Sequence, residues 1–258
     1  MKTSAISWTD FSGGFFNFVT GCTQASEGCR NCCAKAMYDR CRLDFTPTVH
    51  PEKLARLKRW TSPEYSPKRG IQHKPMAFVC DTSDMFHDAF MTKENMRYIY
   101  DAMMVMMGNR QVTWQILTKR PENAKRFFEM YNIEQFGRLN HVWLGVSAEN
   151  QEMADKRIPV LLSIPNVRHF VSIEPMLGPV NIWQYLDHVY EYHPCQLEWA
   201  IVGGESGPDH RPMREEWPQE IGEECYWANV PLFYKQDSAL YPGTCETRLC
   251  GCREWPEE

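Results

Sequence analysis

The stretch TWQILTKRPENAKRFFEMYNIEQFGRLNHVWLGVS, residues 113–147, decides the predicted fold. Two short runs of branched and aromatic residues, 113–118 and 141–147, enclose the segment PENAKRFFEMY, which has helical character. Both runs are nearly all apolar, as is typical of strands that are covered on both faces of a parallel sheet. The stretch therefore predicts a strand–helix–strand unit.

The same alternation extends over most of the chain. Further strand-like runs lie at residues 15–20, 76–80, 169–174, 199–204 and 231–235, and helical segments such as TKENMRYIYDAMMVMM separate most of them. Strands that alternate with helices favour right-handed βαβ units. We therefore expect the α/β class and a partial (β/α) barrel of six to seven parallel strands, with a doubly wound open sheet as the alternative.

The composition fits a globular protein. Of the 258 residues, 43% are hydrophobic and 24% are charged, and the net charge of −5 argues against a generic binder of polyanions. The opening MKTSAISWTD contains no apolar run long enough for a signal peptide, and no stretch approaches the length of a membrane helix. We expect one soluble domain over residues 1–258, with a short cysteine-containing C-terminal tail, in a reducing compartment.

Polar side chains follow every predicted strand. In chain order, the seven runs lead to Cys22, Ser83, Lys119 with Arg120, Ser147 with Glu149, Glu174, Glu205, and Lys235. The carboxyl ends of parallel strands form the ligand-binding face of α/β folds. The pattern therefore predicts a polar pocket on that face.

Three cysteines at the first of these strand ends suggest a metal site. Cys22, Cys29 and Cys32 have the spacing C-x6-C-x2-C, and the total of eleven cysteines is odd, which argues against a fully paired disulfide framework. Structural zinc needs four ligands, and the fourth could be Cys33, Cys41 or one of the tail cysteines Cys245, Cys250 and Cys252. An iron–sulfur cluster with one open iron is the alternative. The spacing alone leaves both open.

A basic stretch lies between residues 53 and 69, where KLARLKRW and SPKRG contribute six basic residues. One interpretation is a solvated helix face. The other is a patch that contacts phosphates, with Trp60 and Tyr65 available for stacking on bases.

Four long motifs in one order resemble the phage-associated three-cysteine family of radical S-adenosylmethionine (radical SAM) proteins. They are WTDFSGGFFNFVTGCTQASEGCRNCCA, LTKRPEN, WLGVSAENQEMADKRIPVLLSIPNVRHFVSIEPMLGPVNI, and WAIVGGESGPDHRPMREEW with VPLFYKQ. The resemblance covers almost the whole chain. Two features depart from radical SAM patterns: the enzymes at large most often show C-x3-C-x2-C, and this family usually has Tyr where Cys33 stands.

The resemblance implies a [4Fe–4S] cluster on Cys22, Cys29 and Cys32, with SAM bound at the open iron. Reductive cleavage of SAM would give a 5′-deoxyadenosyl radical that abstracts hydrogen from the substrate. An electron donor such as flavodoxin or ferredoxin is implied as a partner. The implied location is the cytoplasm of a prokaryotic or phage-infected host.

The strand ends supply the candidate site residues of this radical SAM enzyme. We expect Ser147, Glu149, Glu174 and Ser83 to contact SAM, and Arg120 to pair with its carboxylate. Lys119 and Glu205 are the candidate catalytic residues. The motif around Glu205, GGES, follows the sixth strand rather than the second, so the role of the radical SAM Gly-Gly-Glu motif does not transfer, and a tight turn is an equal alternative.

Similar proteins are associated with hypermodified thymidine in phage DNA, where a radical SAM isomerase is thought to convert an N-linked glycine into a C-linked one. The resemblance therefore implies DNA as the partner. The basic stretch, Arg211 and Arg214 could grip phosphates around a flipped base. The alternatives are a nucleic-acid repair lyase of the spore photoproduct lyase type and a non-catalytic, zinc-stabilised binding module.

Overall fold

The computed structural model describes residues 3–186 and 196–257. Its first two strands, β1 (Val19–Thr20) and β2 (Thr48–Val49), form a small antiparallel pair. The main sheet has six parallel strands, which are β3 (Met76–Phe78), β4 (Thr113–Thr118), β5 (Leu139–Ser147), β6 (Val167–Ile173), β7 (Leu197–Val202) and β8 (Leu232–Tyr234).

The order of the strands in the sheet decides between the two predicted architectures. Strands β3 to β8 lie side by side in the order in which the chain visits them, and each pairs with the next in parallel. A doubly wound sheet reverses its order at a switch point, and the sheet within the described ranges has no reversal. The fold is α/β, with a six-stranded parallel sheet that curls into a half-barrel.

Six helices accompany the strands in the described part of the chain. They are α1 (Cys33–Arg40), α2 (Pro51–Leu57), α3 (Lys93–Gly108), α4 (Pro121–Met130), α5 (Gln151–Leu162) and α6 (Glu216–Trp227). The sequence explains several of the starts. The side chains of Thr92 and Asn150 accept hydrogen bonds from the backbone N–H groups of Asn95 and Met153. Helix α4 begins with Pro121, which lacks an N–H at a position where that group has no partner within the helix.

The prediction of a strand at residues 15–20 is wrong. Gly13 and Gly14 have φ angles of 71° and 54°, and a 3-10 helix occupies Gly14–Phe16. Only β1 at the end of this run is extended, and it pairs outside the main sheet. The apolar character of the run reflects burial of its phenylalanines in the core, which a hydrophobic pattern cannot distinguish from a short strand.

A second hydrophobic cluster, rich in aromatic side chains, packs between the strands of the half-barrel. The cluster consists of Trp8, Met76, Phe78, Trp143, Phe170, Trp199, Ile201 and Phe233. The ring of Trp8 lies 4.7 Å from that of Phe78 and 6.1 Å from that of Trp199, measured between centroids. The cluster therefore draws on five of the six strands of the main sheet, β3 and β5 to β8.

The two terminal segments cover the edges of the sheet. Phe11 forms a parallel bridge with Ala77 of β3, and Arg253 forms an antiparallel bridge with Phe233 of β8. The two segments also meet each other, because Trp255 Nε1 donates a hydrogen bond of 3.3 Å to the carbonyl oxygen of Trp8. Neither edge of the described sheet therefore offers a long unpaired strand to another chain.

None of the helices in the described ranges combines the length and the hydropathy that crossing a lipid bilayer requires.

Candidate functional site

A cavity of about 310 Å³ opens at the carboxyl ends of the strands. Trp8, Phe78 and Leu117 give it an apolar lining. Nine of the ten residues predicted from the sequence line it: Cys22, Cys29, Cys32, Ser83, Lys119, Arg120, Ser147, Glu174 and Glu205. The tenth, Glu149, does not line the cavity. The curled sheet thus brings together side chains that are far apart in the chain.

The cysteine loop, residues 21–32, begins at a glycine that no other residue replaces easily. Gly21 has a φ angle of 77°, and a Cβ there would collide with the carbonyl oxygens of Phe45 and Thr46. Ser83 Oγ donates a hydrogen bond of 2.6 Å to the Gly21 carbonyl oxygen. The hydroxyl of Ser83 therefore holds the start of the loop, which directly precedes Cys22.

The other two cysteines lie where the loop turns into helix. Cys29 ends a 3-10 helix that spans Glu27–Cys29, and Cys32 immediately precedes α1. The thiols of Cys22, Cys29 and Cys32 are all partly exposed. Cys33 also lines the cavity, as the first residue of α1, and is exposed, so a fourth thiol stands beside the three of the motif.

The spacing of the three sulfur atoms bears on which metal group they fit. Within the described ranges, one group of three or more candidate ligand atoms lies mutually within 4.8 Å, namely Asp237, Cys245 and Cys250. At least one pair of the three sulfur atoms of the cysteine loop is therefore more than 4.8 Å apart. With Zn–S bonds of about 2.3 Å, a tetrahedral zinc ion would need sulfur atoms about 3.8 Å apart. The three sulfur atoms would therefore have to move closer together to bind a single zinc ion.

Arg120 links the cysteine loop to the end of β4. Its guanidinium donates to Cys22 Sγ (3.7 Å) and to the Thr23 carbonyl oxygen (3.1 Å), and it pairs with Asp84 (3.2 Å). Burial raises the pKa of the Cys22 thiol and the nearby Asp84 carboxylate adds to this, while Arg120 opposes both. Cys22 is therefore a protonated thiol in the metal-free protein, and metal binding would displace its proton.

Asp84 organises this side of the cavity, although nothing in the sequence distinguishes it from its neighbours. The buried carboxylate accepts hydrogen bonds from Thr118 Oγ1 (2.7 Å), the Lys119 N–H (3.0 Å) and Arg120. The only sequence signal was its position after the second predicted strand. The contacts show that part of the LTKR motif serves local structure.

Glu205 belongs to an ion-pair network rather than standing free in the cavity. Arg211 Nη2 donates to Glu205 Oε1 (2.6 Å), Arg211 Nε and Asn31 Nδ2 donate to Oε2 (both 2.9 Å), and Arg211 also pairs with Glu27 (3.0 Å). Burial alone would raise the pKa of Glu205, but the hydrogen bonds from Arg211 outweigh it and hold the pKa below its usual value. Arg211 is therefore already paired with two carboxylates, which it would have to leave in order to grip a phosphate.

The two glycines of the GGES motif serve close packing. A Cβ on Gly203 would lie 2.9 Å from Glu174 Oε1, and one on Gly204 would collide with the backbone at Ser238. The Gly204 N–H donates to the Gln236 carbonyl oxygen (2.9 Å). This supports the structural interpretation of the motif, since the glycines allow the loop after β8 to approach the end of β7.

Glu174 and Lys235 form an ion pair on the wall opposite Lys119. Their charged atoms are 2.9 Å apart, and Ser172 Oγ donates to the second carboxylate oxygen of Glu174 (3.2 Å). Burial lowers the pKa of Lys235, but the Glu174 carboxylate outweighs it, and the net pKa is raised. Lys235 therefore stays charged.

Lys119 and Ser147 are among the polar residues of the cavity whose side chains remain available to a ligand. Lys119 Nζ and Ser147 Oγ make no hydrogen bond or ion pair with any residue that the structure describes. They are neighbours, because Thr118 and Val146, the residues just before them, pair in the β4–β5 ladder. A cation and a hydroxyl side by side suit an anionic ligand group such as a carboxylate.

The basic stretch offers less to a nucleic acid than the sequence suggested. Trp60 is unavailable for stacking on bases, since it packs edge-on against Phe16 (5.0 Å) and Trp114 (5.8 Å). Lys68 Nζ donates to the carbonyl oxygens of Ile6 and Thr9, and so contributes to the fold. Lys58 and Arg59 remain exposed at the end of α2, and Tyr65 is 47% exposed.

The tail cysteines do not complete the site. Cys245 and Cys250 form a disulfide, and Cys252 Sγ faces the Leu232 carbonyl oxygen at 3.6 Å. The structure therefore gives no support to a zinc site shared between the cysteine loop and the tail.

No curated protein and no solved structure matches this chain. One family of sequences matches over residues 3–248, a range that includes the three cysteines and every cavity residue named above. The chain therefore belongs to the family described as "Protein of unknown function (DUF5131)".

Proposed function

We propose that this protein is a radical SAM enzyme with a [4Fe–4S] cluster on Cys22, Cys29 and Cys32. The observation that carries the proposal is their shared position at the open end of a half-barrel. All three thiols line one cavity, which also holds an unpaired cation and an unpaired hydroxyl. The three sulfur atoms are not all within 4.8 Å of one another, which favours a cluster over a single ion.

The cluster with bound SAM would supply the one-electron chemistry that generates a 5′-deoxyadenosyl radical. The protein's own contribution is binding and orientation. The Lys119 ammonium offers charge to a carboxylate, and the adjacent Ser147 hydroxyl offers one more hydrogen bond. Arg120, next to Cys22, offsets part of the negative charge that three thiolates bring.

The rest of the cavity has an apolar lining that excludes water, and its carboxylates are paired with cations. Trp8, Phe78 and Leu117 supply this apolar surface, which a radical reaction needs in order to avoid side reactions. The carboxylates of Glu174 and Glu205 are each matched by a cation, Lys235 and Arg211. Lys119 is thereby left as the positive group that a ligand can use.

We further propose DNA as the substrate and thymidine hypermodification, by isomerisation of a base-attached glycine, as the reaction. This part rests on the resemblance of the motifs. The support from the surface is confined to Lys58 and Arg59 on the exposed end of α2, and to Arg214, which is exposed and lies over the Trp217 ring at 5.9 Å. An electron donor such as flavodoxin or ferredoxin would reduce the cluster.

Anaerobic purification tests the cofactor assignment directly. We expect about four irons and four sulfides per chain, and SAM cleavage to 5′-deoxyadenosine once a reductant is added. Cys22→Ala, Cys29→Ala and Cys32→Ala should each abolish the cleavage. Cys41→Ala is the matched control, because this exposed thiol follows α1 and does not line the cavity. Stoichiometric zinc without sulfide would refute the proposal.

A further inference from the structure

The cysteine loop rests on a buried carboxylate that does not reach the cavity. The Gly28 N–H donates to Glu149 Oε1 (3.2 Å), across 121 positions of sequence. Arg157 Nη1 donates to the other carboxylate oxygen (2.9 Å) and to the Ser147 carbonyl oxygen (2.7 Å). Glu149 is 0% exposed and Arg157 is 3% exposed, so the pair is fixed inside the protein. Its location is directly beneath the residue that precedes Cys29.

The contact explains why residue 28 is a glycine. A Cβ at this position would lie 2.9 Å from Glu149 Cδ and 3.2 Å from Glu149 Cβ, closer than atoms in contact normally approach. Gly28 does not have the left-handed backbone that requires glycine at Gly21. The requirement therefore comes from the Glu149 side chain, which occupies the space that a methyl group would need.

Glu27 and Asn31, on either side of Cys29, bind to residues that follow β7. Arg211 binds the carbonyl oxygen and the carboxylate of Glu27 (3.1 and 3.0 Å), and Asn31 donates to Glu205. Residues on both sides of Cys29 are thus held by groups that follow β5 and β7. A ligand held in place before the metal arrives loses less conformational entropy on binding.

We propose that Glu149 is a positioning residue, which fixes Cys29 through the Gly28 amide and does not contact SAM. The proposal rests on the proposed function for the identity of the metal group, but the contact itself exists in the metal-free protein. Partners behind a ligand typically change metal affinity by about 10- to 100-fold. We expect an effect in this range, although Glu149 touches neither metal nor substrate.

A double-mutant cycle between Gly28 and Glu149 tests the contact. Anaerobically loaded Glu149→Ala and Gly28→Ala should each release iron to a chelator about tenfold faster than the parent protein. The double variant should release iron no faster than Gly28→Ala alone, because removing the carboxylate frees the space for the new methyl group. Glu152→Ala, an exposed change three residues later in the chain, is the matched control. Additive effects, or parental iron retention in Glu149→Ala, would overturn the proposal.

Alkylation of the metal-free protein provides a second readout that needs no cofactor. We expect iodoacetamide to modify Cys29 several times faster in Glu149→Ala, with Cys41 in the same molecule as the internal reference, as followed by peptide mass spectrometry. Glu149→Gln should restore the slower rate, since its amide oxygen can still accept from Gly28. Equal Cys29 rates in Glu149→Ala and the parent would count decisively against the proposal.

The two readouts separate this inference from the proposed function. If the parent protein binds no iron, the radical SAM assignment fails, while the ratio of Cys29 to Cys41 alkylation still decides the role of Glu149. If Glu149→Ala does not fold, as judged by circular dichroism, then Glu149→Gln and Gly28→Ala carry the comparison. In that case Gly28→Ala must raise the Cys29 rate and Glu149→Gln must not.

Discussion

His169 is a histidine that the fold keeps neutral. It lies on β6, is 2% exposed, and its Nε2 bonds to the Ile164 carbonyl oxygen at 2.9 Å. Burial lowers its pKa from 6.5 to about 4, because the charged imidazolium loses its solvation there. His169 therefore acts as a core residue, and its titration affects stability rather than the cavity.

The free energy of unfolding should decrease as the pH falls from 6.5 toward 4, the range between the unfolded and folded pKa values of His169. The folded pKa lies below the unfolded value, so the contribution of His169 is complete above pH 6.5 and is lost as the pH falls toward 4. The loss amounts to up to about 3 kcal/mol. Urea unfolding at several pH values measures it. His169→Gln should flatten the dependence within this window, whereas His73→Gln, a change at an exposed histidine, should not.

Lys119 should determine SAM affinity without affecting the cluster. Its ammonium has no partner among the described residues, so replacing it removes a charge-assisted bond to the ligand carboxylate and little else. We expect Lys119→Met to weaken SAM binding about 10- to 100-fold, which corresponds to about 1.5–3 kcal/mol. Calorimetry on the loaded protein checks this, with Lys125→Met as the control. Unchanged affinity with normal iron content would remove Lys119 from the SAM site.

At the scale of elements, the sequence predicted what local patterns control. The apolar runs after residue 75 all become strands of the main sheet, and the segments at 92–107 and 121–131 become α3 and α4. The run at 15–20 fails because its phenylalanines are buried by tertiary packing, with no hydrogen-bonded strand beside them. A run of apolar residues indicates that a segment is buried, but a buried segment need not be a strand.

The cysteine loop is an element whose shape depends on one left-handed residue. Gly21→Ala should destabilise the metal-free protein by clearly more than Gly137→Ala, as measured by urea unfolding. Both glycines have φ near 70°, and left-handed backbone costs a non-glycine residue about 1–2 kcal/mol. Only Gly21 would also place its Cβ against other backbone atoms, since Gly137 has nothing within 4 Å. Similar losses for the two would mean that the loop relaxes around the new methyl group.

At the scale of the whole molecule, the sequence predicted residues that line the candidate site, most of them because their positions follow from the ends of the strands. It did not predict the partners of those residues. Side chains at or beyond the ends of parallel strands lie at the same face, which is why six predicted residues from those ends line one cavity. The three cysteines reach the same cavity from a loop outside the main sheet. The partners of those residues depend on long-range packing. Nothing local in the sequence indicates that Glu149 faces Gly28, or that Arg211 is already bound to Glu205. Free and engaged carboxylates look identical in a sequence.

The proposed binding of DNA must overcome a net charge of −5 through local contacts. We expect binding to weaken steeply with salt, and Lys58→Ala with Arg59→Ala to reduce the slope of log affinity against log salt by about 1 to 2. Filter binding at several salt concentrations measures both. Lys125→Ala with Arg126→Ala, an adjacent pair on α4, is the control. No binding at low salt would refute DNA as the substrate.

The contact between Trp8 and Trp255 also has a practical consequence for handling the protein. Both terminal segments lie at the amino end of the sheet, where Arg168 on β6 also binds the Glu257 carbonyl oxygen (2.6 Å), and the cavity opens at the opposite end. A surface tether attached to either terminus should therefore leave the cavity facing the solution. The closeness of Trp8 and Trp255 would also permit a circular permutant, with a short glycine–serine linker joining the old ends and a new opening in the exposed turn at Gly70.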